Sequence, residues 1–266
     1  MWSSLLTIII FLGAWILTWL PIALPLAKLI NYQLASPLTI KQKILFLVSL
    51  YPLAPLIIWL IIKHQGLTFS ELGINRTIFL SWGSGLILAV VTLAIVFYLE
   101  SVLGLVNWHW QNRPQLLTTA PAILVLALVI GVVEELVFRG FMLSELVKDD
   151  SYWLAAIISS LLFALLHLVW ERKTTLPQIP GLWLMGMVLV GARLADRGNL
   201  GLAWGLHTGW IWGLSCLNSA EILSYKQPER VWLTGINQQP LAGAAGIFCL
   251  LITGVFLYLK QTLLEF

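Results

Sequence analysis

"APAILVLALVIGVVEELVFRGFML", residues 120–143, decides the fold. No charge interrupts it before Glu134. An apolar run of this length suits the bilayer core, which takes roughly 20 residues of helix to cross. The rest of the chain is of the same kind. Of its 266 residues 59% are hydrophobic and 10% charged, with a mean hydropathy of +0.92, which excludes a soluble globule. Similar windows fall near 5–27, 44–62, 79–99, 120–138, 152–169, 181–195, 200–216 and 241–259. Lipid leaves open backbone groups unsatisfied, and the alternation of barrel strands is missing, so these windows read as helices. The expectation is an all-α, polytopic membrane protein, with about eight transmembrane helices in one bundle. It forms a single integral membrane domain over residues 1–266, since no polar connection is long enough to fold alone.

The first window carries Trp15 and Trp19 and has no basic residue ahead of it, so it reads as a retained span and not a signal peptide. Basic residues divide almost evenly between the two sets of loops; Lys28, Lys41 and Lys43 lean the first loop inward and the N-terminus outward. A net charge of +3, without basic runs interleaved with aromatics, argues against nucleic acid as a partner and leaves membrane lipid as the surrounding. Trp2, Trp19, Trp108, Trp110 and Trp170 stand where spans meet water, as an aromatic belt does. Gly201, Gly205, Gly209 and Gly213 make a smooth stripe for close helix packing. His207, roughly 200° round the helix from Gly205, faces away from it. Cys216 and Cys249 lack metal spacing and fill space. The stretch 67–77, "LTFSELGINRT", reads as an amphipathic connection at the interface.

Glu134, Glu135 and Arg139 stand out against this background. An ionised side chain at mid-span costs about 2.5–3.5 kcal/mol, so three unpaired ones would cost roughly 8 kcal/mol or more. Glu135 and Arg139 are four apart, share a helix face and can pair; Glu134 points about 100° away and stays available as a base on water. The alternative places all three at the membrane surface. His64 and His109 lie near polar loop residues, whereas His167 in "FALLHL" and His207 in "GLHTGW" lie inside apolar windows. Two intramembrane histidines with a glutamate pair make a functional constellation. At about 1.5 Å per residue, Glu134 lies about 23 Å before the turn near Asp149 and Asp150, and His167 about 25 Å after it, so a hairpin sets them level. His207, about 12 Å past the turn at Asp196 to Asn199, joins them only if that hairpin projects roughly 10 Å beyond the bilayer.

At these residues the sequence resembles the CAAX-processing and bacteriocin-protection (CPBP) family of intramembrane proteases, which includes the type II CAAX prenyl endopeptidase. The resemblance rests on Glu-Glu-x-x-x-Arg at Glu134, Glu135 and Arg139, on Phe-x-x-x-His at Phe163 and His167, and on His207 within "GNLGLAWGLH". It covers about 118–216, the expected catalytic core. It implies an intramembrane endopeptidase in which Glu134 activates water with help from His167 and His207 stabilises the oxyanion, supported by Glu135, Arg139 and Phe163. No cofactor is then required. The family has also been described as metalloproteases, which implies zinc on Glu134, His167 and His207 as the alternative, although the chain has no His-Glu-x-x-His helix. The implied partner is a protein or peptide substrate, prenylated or not. The implied location is a multi-pass position in a bacterial-type plasma membrane.

Many members of that family carry asparagine four residues after the last histidine; here Ile211 stands there and cannot donate a hydrogen bond. Losing an oxyanion donor costs about 100- to 1000-fold in rate. A slowed enzyme follows, or a catalytically silent membrane binding protein. A third expectation is a proton-coupled transporter that relays protons through Glu134, Glu135, His167 and His207, against which the lack of internal repeats counts.

Overall fold

The computed structural model describes residues 3–33, 37–226 and 231–264; Trp2 lies outside them. Helix α1 (Ser4–Leu29) begins at Ser3, whose hydroxyl accepts from the Leu6 N–H. The Asp149 carboxylate accepts from the Ser4 N–H at 2.7 Å, which ties the first turn to a loop far along the chain and holds the Asp149 carboxyl below its usual range. A capping box between Thr39 and Gln42 starts α2 (Ile40–Leu50). The chain then steps at Tyr51 and Pro52 into α3 (Leu53–His64), because proline has no N–H to continue the ladder. The expected 44–62 window is thus a span in two pieces. Next come α4 (Ile78–Val102), strand β1 (Val106–Trp108) and α5 (Arg113–Glu135), which runs on through a π-helical turn (Leu136–Met142) into α6 (Leu143–Leu146). The remainder comprises α7 (Tyr152–Leu166), α8 (Arg172–Thr175), α9 (Ile179–Ala195), α10 (Gly201–Ser219), β2 (Leu223–Tyr225), α11 (Val231–Thr234) and α12 (Ala244–Leu264). Among the described residues the protein is all-α apart from β1 and β2, which pair antiparallel with Val106 opposite Tyr225.

Among the described residues seven helices are long and apolar enough to cross a membrane, and α10 is not one of them. The physical reason is its position. Every residue from Gly201 to Trp210 is buried, so protein, not lipid, solvates the first half of this helix, and glycine, histidine and threonine replace the apolar residues that lipid would demand.

Contact between α10 and α4 is backbone on backbone. A Cβ on Gly205 would stand 2.0 Å from the Trp82 carbonyl oxygen, one on Gly201 2.4 Å from that of Ile78, and one on Gly85 of α4 2.3 Å from that of Leu202. On another side α10 meets α5 at Gly131, where a Cβ would lie 2.9 Å from the Thr208 hydroxyl. Two side chains cap its N-terminus: Asp196 accepts from the Leu202 N–H at 3.2 Å and the Ser81 hydroxyl at 2.9 Å, and Asn199 accepts from the Gly201 N–H at 3.1 Å. The 67–77 stretch is anchored to this end of α10. Leu72 is buried, and Gly73, at φ +96°, takes the Leu200 N–H on its carbonyl at 2.9 Å.

The seam yields a test. Gly205→Val should lose about 1–3 kcal/mol of stability through overpacking, whereas Gly83→Val, on the same helix pair but with nothing within 4 Å of the new Cβ, should not. Thermal unfolding in detergent measures both, and equal melting of the two variants would refute the seam.

Candidate active site

Glu134 and Glu135 end α5, immediately before the π turn. Such turns, with their i→i+5 backbone bonds, are rare and concentrate at functional sites. This one is buried throughout and stitched to its neighbours. The Ser159 hydroxyl of α7 donates to the Phe138 carbonyl at 2.7 Å. Arg193 of α9 donates to the Arg139 carbonyl, and its guanidinium also reaches the Ser144 hydroxyl at 3.2 Å.

Glu135 and Arg139 are fully buried, and Arg139 Nη1 donates to Glu135 Oε1 at 2.9 Å. The guanidinium lies over the Phe163 ring, 4.3 Å from its centroid, a cation–π contact that α7 supplies. The same Glu135 oxygen stands 2.8 Å from His207 Nδ1. A carboxylate paired with arginine can only accept, so Nδ1 carries the proton. His207 Nε2 then faces Glu134, whose Oε2 lies 3.6 Å away and has no hydrogen-bond partner. Glu134 Oε1 accepts from the Tyr51 hydroxyl.

His167, the first residue beyond α7, lies with Nδ1 2.7 Å from the Phe163 carbonyl. A carbonyl fixes the proton on Nδ1 in the same way and leaves Nε2 free of it in the neutral ring. Phe163 separates the two histidines, its ring centroid 4.6 Å from that of His167 and 5.8 Å from that of His207. Glu134, His167 and His207 line one cavity of about 220 Å³, together with Trp210, Ile211 and apolar side chains from α4, α9 and α12. The Trp210 indole N–H is buried without an acceptor.

Of the residues singled out in the sequence, Glu134, Phe163, His167 and His207 share this cavity, and Glu135 and Arg139 stand behind His207. His207 is level with both glutamates. His64 is exposed at the end of α3, and His109 bonds the Ser224 hydroxyl at 2.8 Å in the strand region. Glu134 stands outside the Glu135–Arg139 pair, and one neighbour was not foreseen: the Tyr51 hydroxyl donates to Glu134 Oε1. Tyr51 lies 83 residues away on another span, and its only sequence signal is a phenol inside an apolar window beside Pro52. Among the described residues no three of His, Cys, Asp and Glu stand close enough together to hold a metal.

The fold and site define a multi-pass helical membrane protein with ionisable groups held inside its bundle, a placement that membranes tolerate where it has a use. Residues 116–213, from α5 to α10, match the family model described as type II CAAX prenyl endopeptidase Rce1-like. This stretch of the chain is similar to the CAAX-type intramembrane proteases that the model describes. No curated protein and no solved structure matches the chain.

Breaking a buried ion pair by removing one partner costs about 3–5 kcal/mol. Arg139→Met, which strands Glu135, should therefore melt far below the native protein, and the Glu135→Leu/Arg139→Met double variant should recover part of the loss. A single variant that melts like the native protein would show that the pair carries no structural load.

Proposed function

We propose that the protein is an intramembrane endopeptidase in which Glu134 activates water. The observation that carries this reading is the divided state of the Glu134 carboxylate: Oε1 takes the Tyr51 hydroxyl, while Oε2, without a hydrogen-bond partner, faces His207 Nε2 across 3.6 Å at a cavity that His167 also lines. A water bound at Oε2 gives its proton to Glu134 as its oxygen attacks the substrate carbonyl carbon. The unprotonated Nε2 of His167 accepts the second hydrogen of that water and orients it. His207, with Glu135 behind Nδ1 to balance a positive ring, offers a protonated Nε2 to the oxyanion. Glu134 then passes its proton to the leaving amine as the C–N bond breaks. The apolar walls from Leu93, Ile130, Leu182 and Leu250 suit an aliphatic or prenylated substrate. No metal enters any step.

New protein N-termini should appear in membranes that hold the native chain and not in those that hold Glu134→Gln, and a zinc chelator should leave them unchanged. Identical termini from both chains, equally folded and abundant, would replace this reading with that of a silent binding protein.

Ile211 also lines the cavity, four residues after His207, and offers no donor to the oxyanion. Turnover should accordingly be slow, and Ile211→Asn should raise kcat by about tenfold or more if its amide reaches the oxyanion. An unchanged kcat would show that the oxyanion lies out of reach of position 211.

A further inference from the structure

Tyr51 belongs to the part of the chain that the family match leaves uncovered, yet it reaches the carboxylate at the centre of the site. It is 6% exposed and stands at the step between α2 and α3. The step changes the local bonding: the Ala54 N–H turns back to the Tyr51 carbonyl at 3.2 Å instead of reaching that of Leu50. The Leu50 carbonyl is instead taken by the Trp15 indole N–H of α1 at 2.9 Å, and the Trp19 indole N–H bonds the Ser49 hydroxyl at 2.9 Å. Phe11 of α1 meets Phe141 of the π turn with ring centroids 5.0 Å apart. These contacts clamp the step from one side and join it to the glutamate-bearing helix on the other.

We propose that Tyr51 is a positioning residue for Glu134. A glutamate carboxylate turns easily about its last bond, because that torsion is broad, and an unpinned Glu134 would swing onto His207 Nε2 and close a direct ion pair. The base would then be consumed by its neighbour. By donating to Oε1, Tyr51 holds the carboxylate back, so that Oε2 and His207 Nε2 stay 3.6 Å apart, beyond hydrogen-bond reach, and Oε2 keeps its lone pairs for a water. The first spans thus complete the site by delivering one hydroxyl. This inference rests on Glu134 acting as the base.

The test uses the full chain, purified and returned to lipid, with a peptide drawn from a cleavage site that the comparison of N-termini yields. Tyr51→Phe keeps the ring and removes the donor. Because misplacing a reacting group by about 1 Å can cost 100-fold, kcat should fall about 10- to 100-fold while KM and the melting temperature stay close to native. Tyr51 replaced by p-aminophenylalanine, which keeps a donor at the ring tip, should restore most of the lost kcat. An unchanged kcat in Tyr51→Phe, a loss of melting temperature and substrate binding together with kcat, or no recovery with the amino analogue would each overturn the proposal. Glu134→Gln, run alongside, separates the two readings: if it cleaves like the native chain, the base assignment has failed, whereas if it is inert and Tyr51→Phe is fully active, the failure belongs to Tyr51 alone.

Discussion

Everything near the cavity is arranged about one carboxylate oxygen. Glu135 Oε1 receives the guanidinium of Arg139 from the π turn and the imidazole of His207 from α10, while Phe163 of α7 lies beneath the guanidinium. A buried ion pair adds little to stability by itself, since desolvating both charges offsets their attraction. Its consequence here is geometric. Arg139 from the π turn and His207 from α10 must both reach a single oxygen, so α10 and the end of α5 cannot slide relative to one another without leaving a charge alone in an apolar interior.

That constraint works because α10 can come close enough. With backbone against backbone at Gly201 and Gly205, α4 sets the rotation of α10. The same rotation turns His207 from the seam toward the glutamates. The N-terminal spans act from another side, where the α2–α3 step and the tryptophans of α1 bring Tyr51 to Glu134. The site is therefore shared between the matched segment and helices that carry no motif.

Much of this was legible in the sequence because lipid makes polarity expensive. Glu134, Glu135, Arg139, His167 and His207 were visible as groups that an apolar chain keeps only for a reason, and the glycine stripe was visible because its period matches a helix face. The π turn was not legible: "LVFRGFM" reads as ordinary helix, and the side chains that bond its carbonyls, Ser159 and Arg193, come from two other helices. Tyr51 was hidden for the same reason, since a single hydroxyl in an apolar window has no period and no local partner to announce it. The helix at 200–216 was placed correctly as a helix but resembled the other spans, because hydropathy does not distinguish a lipid-facing helix from one enclosed by its neighbours.

The cavity is small beside what it would have to receive. An α-helix with its side chains is about 10–12 Å across, too wide for a space of about 220 Å³. On the proposed reading, a membrane segment reaches Glu134 only after several residues have unwound into an extended strand. In lipid each backbone group released from a helix costs several kcal/mol until it finds another partner. Discrimination between substrates would then lie less in the side chains flanking the cut than in how readily a stretch gives up its helix. Segments weakened by glycine or proline, or frayed near the bilayer surface, would be cut, and uniformly helical ones would pass untouched.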